Sequence, residues 1–171
     1  MKQLSLLVIL LMFGLSTIQA QYSKVAYVDM EKIMNSVSEY ATAQKELEQQ
    51  SERWRQEIAK EYDQIETMYR EYQTREPLLS DEMRKTKQDE IVNKEKAVRS
   101  LQKARFGPEG ELFKKRQSLV KPIQEKVYNA IQKLAKDRKY DFVFTAPDGA
   151  TLIFAADDKD LTAEVIKSLD K

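Results

Sequence analysis

Apolar residues recur every three or four positions through the middle of the chain, from residue 38 to about residue 136. This spacing is typical of amphipathic helices that pair along a heptad seam. In the first half the seam positions are Tyr40, Ala43, Leu47, Trp54, Ile58, Tyr62, Ile65, Tyr69 and Tyr72. One position is missing between Leu47 and Trp54, where the spacing falls on Gln50 or Ser51. The pattern predicts one long helix whose seam has a single polar interruption.

The helical pattern stops at residues 76–82. Pro77 disfavours helical geometry in the residue before it, and Ser80 or Asp81 can cap a new helix. Apolar positions then resume at Met83, Ile91, Val98, Leu101 and Phe106, followed by a seven-residue repeat of Phe113, Val120, Val127 and Leu134, with Ile123 and Ile131 between. The chain is therefore predicted to form a long antiparallel helical hairpin, with a tip near residues 76–82.

The return helix contains two sites that interrupt helical structure. Gly107 and Pro108 lie in one of them, and Pro122 lies in the seven-residue repeat itself. An interior proline removes a backbone hydrogen bond and costs about 3 kcal/mol in a regular helix. We expect a break near Gly107, with Pro108 starting a new helix, and a milder kink at Pro122. These bends either let the helix curve against its partner or act as hinges that splay the arms around cargo.

Short segments rich in β-formers enclose the hairpin. Residues 24–29 predict a strand that ends at Asp29, a plausible N-cap for a short helix. Residues 141–145 and 151–154 predict two more strands joined by a Pro-Asp-Gly turn, and a final helix follows. The expected fold class is α+β, with a small β-containing body and a projecting coiled-coil arm. The expected boundaries are residues 21–37 and 120–171 for the body and 38–119 for the arm.

Residues 1–20 read as a signal peptide. Lys2 precedes an apolar run from Leu4 to Leu15 that is too short to span a bilayer, and cleavage is expected after Ala20. The chain contains no cysteine, so an acylated lipoprotein anchor and disulfide bonds are both excluded. We expect an exported, soluble protein.

Composition lowers the expectation of catalysis. The chain has no histidine and no cysteine, which removes the commonest general base, thiolate nucleophile and transition-metal ligands. No Gly-rich phosphate loop is present. We therefore expect no enzymatic activity, no metal and no cofactor.

Charge is shared unevenly between the two helical arms. Residues 39–76 contain six basic and ten acidic side chains, whereas residues 77–137 contain fifteen basic and nine acidic side chains. Opposite charges flanking an apolar seam favour antiparallel pairing. Outside the signal peptide the basic and acidic residues balance, which argues against a generic nucleic-acid binder.

The order of these segments resembles a known family. A Lys-Val-Ala-Tyr-Val-Asp strand entering a short helix, a long helical hairpin, a strand hairpin and an ending at residues 160–167 (Asp-Leu-Thr-Ala-Glu-Val-Ile-Lys) are similar to Skp (OmpH-like) periplasmic chaperones. The resemblance implies a homotrimer in the periplasm whose arms enclose a cavity and hold unfolded outer-membrane β-barrel proteins without ATP. The best-known members are strongly basic, whereas this chain is near neutral. Affinity for lipopolysaccharide or anionic lipid is therefore not carried over, and we expect at most weak contact with a lipid surface, without stable insertion.

Two sets of residues follow as candidates for function. Adaptable methionine and large aromatic side chains suit contacts with varied clients. The client-contact candidates are Met68, Met83, Trp54, Tyr62, Tyr69 and Tyr72. The alternative for the four aromatic residues is that they only form the hairpin seam. The body is too small to bury much apolar surface alone, so some residues are expected to share a core across subunits. The trimer-body candidates are Val25, Tyr27, Val127, Ile131, Leu134, Phe142, Phe144 and Ile153.

A different class of function fits the same pattern. An exported coiled-coil hairpin could act as an adaptor or spacer that docks one folded envelope partner through its tip. That alternative predicts stoichiometric binding and no protection of assorted unfolded chains. A lipid-surface protein would need one broad apolar face, whereas the arms show narrow seams.

Overall fold

A computed structural model describes residues 22–146 and 154–169. The elements are β1 (Val25–Val28), α1 (Met30–Ser36), α2 (Ser38–Arg75), a 3-10 turn (Glu76–Leu78), α3 (Asp81–Phe106), α4 (Glu111–Asp137), β2 (Phe142–Thr145), a 3-10 turn (Asp157–Lys159) and α5 (Thr162–Leu169). The predicted α+β fold with a long helical hairpin is confirmed. The predicted signal peptide, the 147–149 turn and Ile153 lie outside the described residues, and Phe154 is exposed outside any strand.

Turn chemistry sets the ends of the helices. The carboxylate of Asp29 accepts a hydrogen bond from the Lys32 backbone N–H at 2.9 Å, which caps α1 as predicted and holds the pKa of Asp29 below its ordinary value. At the tip, Ser80 is the cap, and its hydroxyl accepts from the Met83 N–H at 3.3 Å. The first long helix therefore ends at Arg75 and the next begins at Asp81.

The two ends of the chain meet in a small body. β1 and β2 pair in parallel, with Val25 opposite Phe142 and Tyr27 opposite Phe144, so the whole helical hairpin is the crossover between them. The last segment is tied to β1 as well, since the Asp29 N–H donates to the Thr162 hydroxyl at 2.8 Å. Both chain ends therefore share one sheet, and the hairpin is an insertion between its two strands.

In the part of the chain that the structure describes, the apolar core consists of two separate clusters. The body cluster joins β1, α1, the base of the hairpin and α5 through Ala26, Val28, Ile33, Met34, Val37, Ala43, Ile123, Val127, Ile131, Leu161 and Val165. The distal cluster joins α2 and α3 further out through Ile58, Ile65, Ile91 and Val98. The hairpin therefore carries its own small core beyond the body.

An ion pair at the base of the hairpin gives a first testable prediction. The Lys126 ammonium lies 2.9 Å from a carboxylate oxygen of Glu39, and this hydrogen bond, with smaller contributions from the Glu39 backbone N–H and the Ser38 hydroxyl, lowers the pKa of Glu39 from 4.5 to about 2. A lowered pKa contributes stability above pH 4.5, and this contribution is lost as the pH falls towards 2. In Lys126→Met the pKa of Glu39 should return towards 4.5 in an NMR titration. An unchanged pKa would show that the pair does not form in solution.

Candidate functional site

One flank of the hairpin presents a row of tyrosines. Tyr62 and Tyr69 are seven residues apart on α2, and both rings are about two-fifths exposed. Their hydroxyls donate across the hairpin, Tyr62 to Gln102 at 3.4 Å and Tyr69 to Glu95 at 2.9 Å, and the second bond raises the pKa of Tyr69. Each tyrosine thus hydrogen-bonds across the hairpin through its hydroxyl and leaves part of its ring exposed to solvent.

Further out, Tyr72 and the methionines differ in exposure. Tyr72 accepts a hydrogen bond from Gln88 at 2.7 Å, and together with Met68 it packs against the distal cluster. Met83 lies near the tip with about half of its side chain exposed. Of these candidates, Met83 therefore presents the most accessible apolar surface.

The sequence reasoning missed two exposed apolar residues on the arm. Leu78 stands at the tip with 86% of its surface exposed, and Val92 follows the seam residue Ile91 on α3. An apolar residue beside a helix breaker, or next to a seam position, is the signal that could have identified them. With Met83 they extend the accessible apolar surface of the distal hairpin.

Trp54 is covered in this structure. Only 8% of its surface is exposed, because the Phe106 ring meets it edge to face at 6.2 Å between centroids and the Arg105 guanidinium lies over it at 4.8 Å. This position matches the seam alternative and offers no surface to a partner. The geometric reason is that α3 ends at this level, so its last turn folds over Trp54.

The return helix breaks where expected but restarts later. The Gly107 N–H donates to Lys103 and the Gly110 N–H to Gly107, at 2.8 and 2.9 Å, which forms a turn over residues 107–110. The next helix begins at Glu111 rather than at Pro108, because this turn must close first. Pro122 lies inside α4, which continues through it.

The body candidates divide into two groups. Val127 and Ile131 are buried within the chain's own body cluster and Leu134 packs against it, because α4 lies against α1 and α5. Register places Val25 beside Phe142 and Tyr27 beside Phe144 on the other side of the sheet. The Phe142 and Phe144 rings stack at 6.3 Å and are 55% and 57% exposed. The sheet therefore has an uncovered apolar outer face.

Metal sites and membrane-spanning helices were the two remaining kinds of feature to locate in the described residues. They contain no group of three or more His, Cys, Asp or Glu side chains placed to hold a metal ion. Within the same ranges, no helix is long and apolar enough to cross a membrane. What the structure offers is surface on the arm and on the sheet.

Comparison with known proteins assigns the fold to a family. The family described as "Outer membrane protein (OmpH-like)" matches residues 24–169, which include both chain ends and the whole hairpin. The chain belongs to the OmpH-like family. Among solved structures, a candidate outer membrane chaperone (OmpH-like) from Caulobacter crescentus CB15 superposes on this OmpH-like chain with a TM-score of 0.70. The match covers 87% of this chain and 85% of that chain at 13% identity, which supports the fold alone. No curated protein matches the sequence significantly.

Proposed function

We propose that this OmpH-like protein is a periplasmic holdase chaperone that binds unfolded outer-membrane β-barrel proteins without ATP. In this role it keeps them from aggregating during transit. The observation that carries the proposal is the exposed apolar surface of the hairpin in a chain that matches the family along residues 24–169. Half-exposed tyrosines on one flank and Met83 and Leu78 near the tip offer large, adaptable contacts.

The physical mechanism needs no nucleotide. An unfolded barrel protein exposes apolar side chains that would otherwise meet those of another copy. Several arms around one client replace these encounters with many weak contacts at high effective concentration. Because each contact is weak, the client leaves when folding into a membrane stabilises it more.

The outer face of the sheet supports association into a homotrimer. This face is a contiguous apolar surface that is exposed to water in the single chain; it is formed by Val25, Tyr27, Phe142 and Phe144. Such surfaces on soluble proteins usually mark an interface. Three copies joined through this face would place their hairpins around a common space, which supplies the several arms that the mechanism requires.

Aggregation of an unfolded barrel protein tests the proposal. An outer-membrane barrel protein in urea, diluted into buffer with an excess of this protein and no nucleotide, should scatter much less light than without it. Replacing Tyr62 and Tyr69 with serine should weaken this protection several-fold, because two half-exposed rings are lost from the flank. Tyr128→Ser is the matched control, since Tyr128 is also half-exposed but lies on α4 in the body.

The adaptor alternative predicts the opposite result. Undiminished aggregation, together with tight binding of one folded envelope protein that is lost when Leu78 and Met83 become serine, would replace the holdase proposal. Equal loss of protection in the Tyr128 control would show that the flank tyrosines have no special part.

A further inference from the structure

The apolar core is interrupted at the level where the return helix breaks. On α2 the body cluster ends at Ala43 and the distal cluster begins at Ile58. On the return helices the distal cluster ends at Phe106 of α3, and the body cluster begins at Leu119 of α4. Three residues of α2 are buried between the clusters: Leu47, Ser51 and Trp54, of which only Trp54 is shown in ring contact with a residue at the edge of a cluster, Phe106. The body and the distal hairpin are therefore two separate apolar units, connected by a short stretch with little shared core.

A groove interrupts the packing on one side of this stretch. Ser51 occupies the seam position where the heptad pattern calls for a large apolar residue, and it is buried. Beside it lies a groove with a volume of about 790 Å³, lined by Leu47, Ser51, Leu112 and Arg116 among others. A stretch with such a gap resists bending less than a close-packed one, because side-chain contacts are missing on one side.

A single cation connects the three helices at this level. Arg105 is the penultimate residue of α3; its guanidinium lies 3.6 Å from Glu57 of α2, pairs with Glu111 of α4 and stacks over Trp54. Only 22% of its side chain is exposed, so these charges are screened less than surface pairs. Its Nε is buried without a hydrogen-bond partner among the described residues, so the closed arrangement leaves one donor unsatisfied.

The turn between α3 and α4 closes only with glycine. A Cβ atom on Gly107 would lie 2.4 Å from the Lys103 carbonyl oxygen. On Gly110 it would lie 2.8 Å and 2.9 Å from the carbonyl oxygens of Ala104 and Arg105. The turn is thus drawn tight against the end of α3, which brings Glu111 within reach of Arg105.

We propose that residues 104–111, with Trp54 and Glu57, form a latched joint between the body and the distal hairpin, and that Arg105 is the latch. With the latch closed, the arm keeps one direction. With the latch open, α2 bends over residues 47–54, beside the groove, and the distal hairpin swings. The joint itself is independent of the proposed function; only its consequence, an arm that adapts to clients of different size, rests on that function.

Spin labels measure the swing in the absence of any client. The chain has no cysteine, so exposed Asp89 on α3 and Gln124 on α4 can be replaced by cysteine and labelled uniquely. Labelled chains are refolded with an excess of unlabelled chain, so that each assembly carries one pair. The wild-type latch should give a narrow distance distribution, and Arg105→Met should broaden it while keeping a long side chain over Trp54.

The only tryptophan gives a second readout. Trp54 sits under the latch, so its emission reports the joint without a label. In Arg105→Met the emission should shift to longer wavelength and acrylamide quenching should rise several-fold. Arg99→Met is the matched control, since Arg99 is exposed on the same helix and pairs with Glu95 one turn away. It should leave both readouts at their wild-type values.

A variant expected to restrict the motion of the joint completes the test. Ser51→Leu should fill the groove beside Leu47 and Leu112, narrow the distance distribution and reduce quenching of Trp54. Equal distributions in wild type, Arg105→Met and Ser51→Leu, with unchanged helix content by circular dichroism, would overturn the joint. If Arg105→Met loses helix content, the distance distribution and quenching of Ser51→Leu alone decide whether the joint exists. Distances that respond as expected without any protection of unfolded clients would overturn the holdase and leave the joint standing.

Discussion

Replacing Phe144 with aspartate should convert the proposed trimer to a monomer. Phe144 stacks on Phe142 in the uncovered face of the sheet, and 57% of its surface is exposed in the single chain. If three copies bury this face, an aspartate there must lose its hydration without a partner, which costs several kcal/mol. Sedimentation velocity at micromolar concentration should show a species about one third of the wild-type mass. Protection of unfolded clients should fall as well, because a monomer has only one arm and no longer offers several linked contacts at high effective concentration.

The control for this substitution is Phe113→Asp. Phe113 is also an exposed aromatic residue, but it lies near the start of α4, away from the sheet. It should leave the mass unchanged. A wild-type protein that sediments as a monomer, or a Phe144→Asp variant that stays assembled, would remove the trimer from the proposal.

Replacing Ile91 with alanine should unfold the distal hairpin while leaving the body folded. Ile91 is one of four residues in the distal cluster and is buried against α2. Removing a buried isoleucine side chain costs about 2–5 kcal/mol. The small distal cluster has few other contacts to compensate, and the interrupted core does not pass the loss on to the body. Hydrogen exchange should accelerate across residues 58–101 and remain slow in β1, α1 and α5.

Ile33→Ala supplies the comparison in the body. Ile33 is fully buried in the body cluster, so the same chemical change should accelerate exchange in β1, α1 and α5 together. Global, concerted loss of protection in both variants would show that the two clusters unfold as one unit. That result would also count against a joint between them.

The local features were predictable because each depends on few neighbouring residues. The cap at Asp29, the reversal after Pro77 and the polar interruption at Ser51 all follow from side-chain chemistry or from a 3.6-residue period. The uneven charges of the two arms likewise match the observed pairs between them, such as Glu46 with Lys115.

The seven-residue repeat beyond Phe106 predicted the burial of its residues less well. Phe113 occupies a repeat position but is exposed, whereas Val127, two repeats further along the same helix, is fully buried. Trp54 shows for the candidate site that a position in the seam does not by itself determine the role of a side chain. A large aromatic residue on a seam reads equally well as a client contact or as packing, and only the position of Phe106 and Arg105 over its ring decides.

Periodicity and turn chemistry alone were enough to establish a helical hairpin between two β-forming ends, because helix, cap and turn preferences act over a few residues. Three features depended on the tertiary structure: the parallel register of Val25 with Phe142, the outward direction of Phe144, and the meeting of Arg105 with Glu57 and Glu111. They join residues far apart in the chain or across a break in a helix. Their geometry follows from how whole elements pack, which no local pattern encodes.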